Sequence, residues 1–320
     1  MDVSLPENST LLTNPYVVGR PLTGMSTALY VGREEIFDWF DENLAGMGQP
    51  NALMLYGRRR IGKTSTLYQL VEGERGRPLR EDRPRHLIPV YIDLQRYAGR
   101  PTDEWLRRLA RDICRRVEVA NHDDVASHGE ISDETAYATF DRSLDYLERI
   151  LPDDSLILLA IDEFEQIRDG IESGVLDSQI LPFIRSQIQH RTRIAFLLCG
   201  STALLEPFWG PIADLTARFE IGPLDSRQTE ELVRRPVEGV LEVEDTAVEL
   251  IWQATAGHPF LIQSICHRLV SQANRNHLRS AIRAEDVESV IARMEREGYG
   301  NGTGHGLDAV AATRVEEIKL

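Results

Sequence analysis

Residues 56–67 read YGRRRIGKTSTL, and the stretch from Gly57 to Thr64 matches the pattern GxxxxGK[ST] without a mismatch. A short apolar run at residues 52–56 (ALMLY) precedes this motif, and an apolar helical pattern follows it. Between a strand and a helix, glycines let the backbone bend around a polyphosphate, and the N-terminus of the following helix attracts negative charge. The stretch therefore predicts a phosphate-binding loop (P-loop) in an α/β protein.

The motif assigns expected contacts with a nucleoside triphosphate to its individual residues. Lys63 is expected to reach the β- and γ-phosphates, Thr64 to place its hydroxyl on Mg²⁺, and Ser65 to lie beside the α-phosphate. The residues expected to surround the phosphates are Gly57, Arg58, Arg59, Arg60, Ile61 and Gly62. One of the three arginines could face phosphate, whereas solvent, a neighbouring subunit and nucleic acid are the alternatives for the others.

Composition limits the class of protein. The 320 residues suffice for one large domain or two modest ones, and 36 basic against 51 acidic residues give a formal net charge of -15. This charge argues against a general nucleic-acid-binding surface but leaves a local basic groove open. The three cysteines lack metal-ligand spacing and are expected to be buried thiols in a reducing compartment. Without a signal peptide or a long apolar run, the sequence favours a cytoplasmic protein.

Apolar runs alternate with helical patterns through the first two thirds of the chain, which predicts a parallel sheet covered by helices. The expected strands are residues 52–56, 87–94, 156–161, 194–199 and, more weakly, 218–221. Thr102 is expected to cap the first of two amphipathic helices. The apolar stripes of these helices, which are expected to lie in the core, are Trp105, Leu109, Ile113 and Val117, and Phe140, Leu144, Leu147 and Leu151.

The pattern divides the chain into four regions. An N-terminal segment and a first helix that packs on the nucleotide site are expected at residues 1–50, and the P-loop α/β domain at 51–222. Residues 223–297 show only helical patterns and predict an all-helical lid domain, and glycines alternate with other residues in a flexible tail at 298–320. In the lid, Pro236 is expected to close the first helix, Gly257 to cap the second and Pro259 to start the third.

Polar residues follow two further apolar runs. LILLAI ends in Asp162 and Glu163, the Walker B pattern, and parallel strands bring such residues to the carboxyl edge of the sheet. Asp162 is expected to hold Mg²⁺ through water, and Glu163 to polarise the attacking water as general base. Glu165 is assigned no role. After AFLLCG, either Ser201 or Thr202 is expected to contact the γ-phosphate or the attacking water.

Four stretches give the chain a family resemblance. These are YVGREE at 30–35, GRRRIGKTS at 57–65, LLAIDE at 158–163 and GHPFLIQ at 257–263. With them the chain resembles the AAA-like P-loop ATPases of the STAND group, in the branch that includes the archaeal-type ATPases of the ASCE division. The resemblance covers about residues 14–294. It implies the strand order 5-1-4-3-2, with nucleotide at the edge where the strand order reverses.

The resemblance also implies roles for residues outside the two Walker motifs. Gly32 and Arg33 would lie near the adenine with the preceding NPYVVGRP segment, and His258 and Pro259 would place the helical lid over the nucleotide. Arg218 stands where related ATPases often carry an arginine near the subunit boundary, so it is expected to sense the γ-phosphate. A surface salt bridge is the alternative for Arg218.

Together these features predict an ATP-binding, Mg²⁺-dependent ATPase of slow turnover, in which ATP or ADP sets the angle between sheet domain and lid. The expected partners are ATP and either a protein partner or further copies of the chain, and nucleic acid is disfavoured by the net charge of -15. One alternative is a scaffold locked on ADP or ATP without significant turnover. Another is a DNA-remodelling or transposition-helper ATPase, which the arginine-rich loop keeps open.

Overall fold

The computed structural model describes residues 12–23, 28–44, 50–82, 85–121, 135–275 and 281–298, so the expected glycine-rich tail beyond Gly298 lies outside the described residues. Within these ranges one sheet has five parallel strands: Ala52–Tyr56 (β1), His86–Asp93 (β2), Ser155–Asp162 (β3), Ile194–Gly200 (β4) and Thr216–Glu220 (β5). Their spatial order is β2-β3-β4-β1-β5. Read from the other edge, this is the expected order 5-1-4-3-2, which is confirmed.

The burial of each strand follows its place in the sheet. β3 and β4 are buried at every residue, as expected for parallel strands covered on both faces. β5 forms one edge and is half-buried or exposed throughout. It also begins two residues before the expected 218–221 stretch and ends one residue earlier, because pairing with β1 rather than apolar character sets its bounds.

Eight helices accompany the sheet in the described residues. They are Glu34–Leu44 (α1), Lys63–Val71 (α2), Arg77–Glu81 (α3), Thr102–Asn121 (α4), Ala136–Ile150 (α5), Gln166–Glu172 (α6), Ile180–His190 (α7) and Gly210–Ala213 (α8). Short 3-10 turns lie at Leu94–Tyr97, Thr202–Leu205 and Pro207–Trp209. No described helix combines the length and the apolar character that crossing a membrane requires.

Successive residues of each strand point to opposite faces, so the sheet has two cores. Leu53 and Leu55 of β1 pack with α1, α2 and α3, whereas Met54 belongs to the core formed with α4, α5, α6 and α7. The two predicted apolar stripes of α4 and α5 are buried in that second core, which confirms them.

Two smaller expectations about this domain are wrong. Thr102 is the first residue of α4 rather than its cap, and its hydroxyl accepts a 2.7 Å hydrogen bond from the amide of Asp177. Of the three thiols, Cys199 and Cys266 are buried, but Cys114 is only half-buried. α4 and α5 cover Cys114 incompletely because it lies at the border of the apolar stripe, next to Ile113.

The second unit, here called the lid, contains the helices Ser226–Arg234 (α9), Asp245–Thr255 (α10), Pro259–Arg275 (α11) and Ala284–Arg296 (α12). A 3-10 turn at Arg235–Val237 contains Pro236, which follows the end of α9 as expected. The expectation of helices alone is wrong, because Glu242–Val243 (β6) and Ala281–Ile282 (β7) pair in parallel. Strands of two residues are too short to leave an alternating pattern in the sequence.

Gly257 joins the end of α10 to Leu224, in the segment that leads from β5 into α9. Ala256 and Gly257 have φ values of 44° and 73° and end α10, and α11 begins two residues later at Pro259, as expected. The amide of Leu224 donates a 2.9 Å hydrogen bond to the carbonyl of Gly257. A Cβ at position 257 would lie 1.8 Å from the carbonyl oxygen of Leu224, so the contact requires glycine.

Candidate functional site

The P-loop, residues 57–62, connects β1 to α2, which begins at Lys63. Arg60 and Gly62 have φ values of 60° and 110°, so the backbone turns sharply there, and the buried side chain of Ile61 anchors the loop below. A Cβ at Gly57 would lie 2.5 Å from the carbonyl oxygen of Ile221, so glycine lets the loop leave β1 beside the end of β5. The first turn of α2 supplies backbone N–H groups to an anion in the loop.

Lys63 lies across the P-loop. Its Nζ donates hydrogen bonds to the carbonyl oxygens of Gly57 (3.0 Å) and Arg58 (2.9 Å). These are contacts with the loop itself and not with the core, so the ammonium group is held at the place where the loop would surround phosphate. The contact of Lys63 with the phosphates stays a prediction.

Thr64 and Asp162 meet at the carboxyl edge of the sheet. The hydroxyl of Thr64 donates a 2.7 Å hydrogen bond to Oδ2 of Asp162, and the hydroxyl of Tyr91 donates a 3.1 Å hydrogen bond to the same oxygen. Oδ1 accepts a hydrogen bond from the amide of Glu163 at 3.0 Å. Burial raises the pKa of Asp162, and these hydrogen bonds oppose that rise.

Tyr91 is a site residue that the sequence interpretation missed. It lies on β2 opposite Ala160 of β3, two residues before the end of its strand. Its ring also packs against that of Tyr68, with a centroid distance of 4.9 Å. The sequence signal that could have identified Tyr91 is a residue with a hydroxyl group near the end of the strand next to β3.

The Thr64 hydroxyl and the Asp162 carboxylate fit Mg²⁺. This ion prefers oxygen ligands, and in phosphate-transfer sites it is held by one or two carboxylates together with phosphate and water. No group of three or more histidine, cysteine, aspartate or glutamate side chains suited to a metal occurs in the described part of the chain. The pair therefore suits an ion that a phosphate ligand helps to hold.

Glu163 lies in the turn that leaves β3 and lines the cavity above the loop. Its φ value is 53°, which is uncommon for a residue with a side chain. Burial raises the pKa of Glu163, the negative charges of Glu165 and Asp162 raise it further, and the ammonium group of Lys63 opposes them. A carboxylate with a raised pKa is better suited to accept a proton near neutral pH.

Glu165, which the sequence pattern left without a role, contacts the end of β4. Its Oε1 accepts a 3.0 Å hydrogen bond from the amide of Ser201, the first residue after that strand. The hydroxyl of Ser201 accepts a 3.4 Å hydrogen bond from the amide of Ala203 and caps the 3-10 turn that begins at Thr202. Ser201 and Thr202 are not among the cavity-lining residues, so their contact with a γ-phosphate stays a prediction.

A cavity of about 230 Å³ lies above the P-loop. Its lining comes mainly from three parts of the chain: residues 17–22 of the N-terminal segment, the loop with the start of α2, and the lid. The lining is completed by Leu29, Tyr30, Val31, Arg33 and Glu163. The loop and α2 contribute Arg59, Arg60, Ile61, Gly62, Lys63, Thr64 and Ser65, and the lid side contributes Leu224, Leu232, Pro259, Phe260 and Gln263. A ligand in this cavity would therefore contact all three parts at once.

The N-terminal segment, residues 12–23, is attached both to the lid and to the first turn of α2. The hydroxyl of Tyr16 donates to the carbonyl of Val233 at 2.5 Å, and the amide of Val17 donates to Oε1 of Gln263 at 3.2 Å. The amide of Leu22 donates a 3.0 Å hydrogen bond to the hydroxyl of Ser65. The segment thus forms one wall of the cavity and connects lid and P-loop.

The lid also contacts the P-loop directly. Nε2 of His258 lies 3.2 Å from the carbonyl oxygen of Arg59, and the guanidinium group of Arg60 lies 4.3 Å from the centre of the Phe260 ring. Arg59 and Arg60 line the cavity, whereas Arg58 is exposed and does not. His258 thus contacts the loop instead of lining the cavity.

Arg33 and Gly32 lie close together but contact different parts of the molecule. The buried guanidinium group of Arg33 donates to the carbonyl oxygens of Gly222 (2.6 Å) and Ile61 (3.2 Å) and lines the cavity. Gly32 is not a lining residue. It has a φ value of 63°, and a Cβ there would lie 2.5 Å from the side chain of Gln228 in α9. Gly32 therefore makes a close contact with the lid.

Arg218 is not brought to the P-loop by its own chain. It is an exposed residue in the middle of the edge strand β5, opposite Met54, and is not among the cavity-lining residues. The P-loop lies at the carboxyl edge of the sheet, and residues in the middle of a strand lie below that edge. The contact of Arg218 with a γ-phosphate therefore stays a prediction.

Similar solved structures share this fold. The Aeropyrum pernix ORC1 protein in complex with DNA matches at 16% identity and a TM-score of 0.56, over 84% of this chain and 67% of that one. Drosophila ORC bound to DNA matches at 15% and 0.56, over 92% and 69%. A point mutant of Thermotoga maritima RuvB matches at 14% and 0.51, over 86% and 74%. At these identities the likeness shows the fold alone.

Sequence comparison gives the family. No curated protein matches the chain. A family model described as an ATPase domain predominantly from Archaea matches residues 31–265, which include the P-loop, Asp162, Glu163 and part of α11. Since this match covers more than half of the 320 residues, the chain belongs to the family of ATPase domains found predominantly in Archaea.

Proposed function

We propose that this chain is a Mg²⁺-dependent ATPase of the STAND type, in which the bound nucleotide controls the arrangement of lid and sheet domain. The observation that carries the proposal is the single cavity lined by P-loop, lid and N-terminal segment. A ligand shifts a conformational equilibrium only if it binds the two arrangements with different affinity. ATP and ADP differ by the γ-phosphate, and its expected place adjoins Lys63 and Glu163.

The side chains at the site divide the work of hydrolysis. Lys63 neutralises the phosphate charge, and Thr64 and Asp162 would hold Mg²⁺, whose positive charge would further offset that of the phosphates. Glu163 orients a water molecule and accepts its proton as the water oxygen bonds to the γ-phosphorus. The bond from that phosphorus to the bridging oxygen breaks, and ADP leaves with that oxygen.

The contacts between the P-loop and the lid could transmit a conformational change from the nucleotide to the rest of the molecule. Arg59 and Arg60 each carry one contact from the loop to the lid, through His258 and Phe260. Movement of the loop around phosphate would alter both contacts, and the N-terminal segment would follow because Leu22 is bonded to Ser65. The proposed output is a change in self-association or in binding to a protein partner.

Two measurements test the proposal. The first identifies the nucleotide released by denaturing the purified protein and follows a single turnover of ATP with Mg²⁺. ATP or ADP in the protein and a measurable turnover are expected. A wild type that retains ADP and shows no turnover with any partner would favour the locked scaffold instead.

The second measurement follows the lid with fluorescent labels at two exposed positions. Asp153 lies just before β3 and Glu288 on α12, and replacing Cys114 with serine leaves the two buried thiols. Energy transfer between cysteines placed at 153 and 288 is expected to differ between the ATP and ADP states. The ATP state is obtained with Glu163→Gln. Equal transfer in both states would contradict the switch while leaving ATP hydrolysis possible.

DNA-linked ATPase activity is a second candidate because one helix face is basic. Arg108, Arg111 and Arg115 are exposed and lie three and four residues apart on α4, which places them on one face. Two of the similar structures are bound to DNA according to their descriptions. The net charge of -15 opposes this candidate. Salt-sensitive duplex binding with several-fold ATPase stimulation, both lost in an Arg111→Glu/Arg115→Glu variant, would favour it over the switch.

A further inference from the structure

The turn that carries Glu163 has an unusual backbone. Glu163 adopts a φ value of 53°, and the turn closes through a 3.0 Å hydrogen bond from the amide of Gln166 to its carbonyl. A residue with a side chain in this region is strained, so it persists only where its surroundings hold it. The question is what holds Glu163 there.

Two hydrogen bonds fasten this turn to β4 on either side of Gly200. The amide of Phe164 donates to the carbonyl of Cys199 at 2.9 Å, and the amide of Ser201 donates to Oε1 of Glu165 at 3.0 Å. The first bond uses backbone atoms only. The second hydrogen bond needs the carboxylate of Glu165, so only this bond depends on which residue stands at position 165.

Gly200 and Glu165 fit each other closely. A Cβ at position 200 would lie 2.2 Å from Oε2 of Glu165, so a side chain there would push the carboxylate away from Ser201. The backbone conformation of Gly200 does not itself require glycine, because its φ value is not positive. The close approach of the carboxylate is thus a specific reason for glycine at this position.

The position of Glu165 is poorly explained by stability alone. Its Oε2 is buried and has no hydrogen-bond partner in the part of the chain that the structure describes. Its negative charge also lies close enough to Glu163 to act on that carboxylate. An incompletely bonded carboxylate next to another one is unfavourable for folding, and such groups in native proteins call for a functional explanation.

We propose that Glu165 is a positioning residue for ATP hydrolysis, which holds the Glu163 turn against the end of β4. The inference rests on the proposed function, because it assigns Glu165 to the hydrolysis step of that same site. Glu165 binds no phosphate and no metal in this account. It acts by fixing the position of Glu163 relative to the backbone at Ser201.

The test compares three variants in single-turnover hydrolysis and in equilibrium binding of ATP. Glu165→Ala is expected to lower the hydrolysis rate about 10- to 100-fold, as small displacements of catalytic groups do, with ATP affinity within about twofold of wild type. Glu165→Gln keeps an acceptor for the Ser201 amide and is expected to restore most of the rate. Glu172→Gln, which removes an exposed carboxylate from α6, serves as the control and is expected to leave the rate unchanged.

A second pair of variants keeps the test independent of Glu165 itself. Gly200→Ala is expected to reproduce the slow hydrolysis of Glu165→Ala, because the added methyl group displaces the carboxylate. In the double variant the carboxylate is absent and the methyl group meets the side chain of Leu204, 2.8 Å from its Cδ1, so the rate is expected to be close to that of Glu165→Ala alone. ATP affinity close to that of wild type together with a lower rate distinguishes this role from a merely structural one, which would lower both.

The outcomes separate this inference from the proposed function. A wild type without turnover would contradict the proposed function, and with it any role of Glu165 in hydrolysis. If the wild type turns over and Glu165→Ala does so within about twofold, only the inference is wrong. The inference is also wrong if glutamine fails to restore the rate, or if the alanine variant loses stability and ATP affinity together.

Discussion

The hydroxyl oxygen of Thr64 lies 2.7 Å from Oδ2 of Asp162, although 98 residues separate them in the chain. Asp162 ends β3, whereas Thr64 lies in the first turn of α2, which follows β1 through the P-loop, and β1 and β3 flank β4 in the sheet. Parallel strands deliver their carboxyl ends to one edge, so the loop after β1 and the last residue of β3 meet above β4. Lys63, the residue before Thr64, lies at the same edge of the sheet.

Lys63→Ala is expected to weaken binding of ATP about 10- to 100-fold, because it deletes a charged hydrogen-bond donor directed at phosphate. Nζ of Lys63 contacts only two loop carbonyls in the described structure, so the folded state should be preserved. Titration with a fluorescent ATP analogue and a thermal melt measure the two effects. Unchanged affinity in a folded variant would contradict the P-loop assignment.

Glu163→Gln is expected to slow the chemical step about 10²- to 10⁴-fold, because the amide cannot accept a proton from water. ATP should still bind, since Lys63, Thr64 and Asp162 are unchanged. Rapid quench under single-turnover conditions and the nucleotide content of the purified variant measure these two properties. Equal rates in wild type and variant would remove Glu163 from the reaction, with Glu172→Gln as the control for the lost charge.

Tyr91→Phe is expected to raise the Mg²⁺ concentration needed for ATP binding about 3- to 10-fold, the usual worth of one hydrogen bond. The variant loses the donor to Oδ2 of Asp162 but keeps the ring that packs against Tyr68. Tyr68→Phe is the matched control, because it changes the other ring of this pair. ATP binding titrated at several Mg²⁺ concentrations gives the result, and equal Mg²⁺ dependence in both variants would contradict a role for Tyr91.

Arg60→Ala is expected to speed the release of nucleotide several-fold, because Arg60 contacts Phe260 and so helps to hold the lid against the loop. A cation–π contact at a partly exposed site contributes about 0.5–1 kcal/mol. Arg58→Ala is the control, since Arg58 is exposed and does not line the cavity. Stopped-flow release of a labelled nucleotide distinguishes them, and equal rates would mean that the lid contact does not retain nucleotide.

The sequence predicts the sheet and the main site residues because their signals are local. A GxxxxGK[ST] loop after an apolar run and a pair of carboxylates after another define Lys63, Thr64, Asp162 and Glu163. The strand order is implied by the family resemblance, whereas the register that aligns Asp93 with Asp162 is seen only in the structure. The sites formed within one strand or one turn were therefore accessible from the sequence.

The remaining site features depend on contacts between distant segments. Glu165 reaches Ser201 only because Gly200 has no side chain, and neither residue type indicates that fit by itself. Gly32 was expected near the nucleotide, but its lack of a side chain serves the contact with Gln228 of the lid. Such close approaches arise from the packing of whole elements, which local patterns do not encode.

A comparison of two glycines with similar φ values distinguishes the energetic cost of a left-handed backbone from the cost of a steric clash. Gly239 and Gly257 have φ values of 74° and 73°, but a Cβ at 239 would meet nothing within 4 Å, whereas one at 257 would lie 1.8 Å from the carbonyl of Leu224. Gly239→Ala is expected to lower the free energy of unfolding by about 1–2 kcal/mol, the cost of the left-handed conformation. Gly257→Ala should cost clearly more and should also weaken ATP binding, because it displaces Leu224, which lines the cavity. Urea unfolding and nucleotide titration of both variants measure this difference. If the two variants are equally stable and bind ATP equally, the Leu224–Gly257 contact does not shape the cavity.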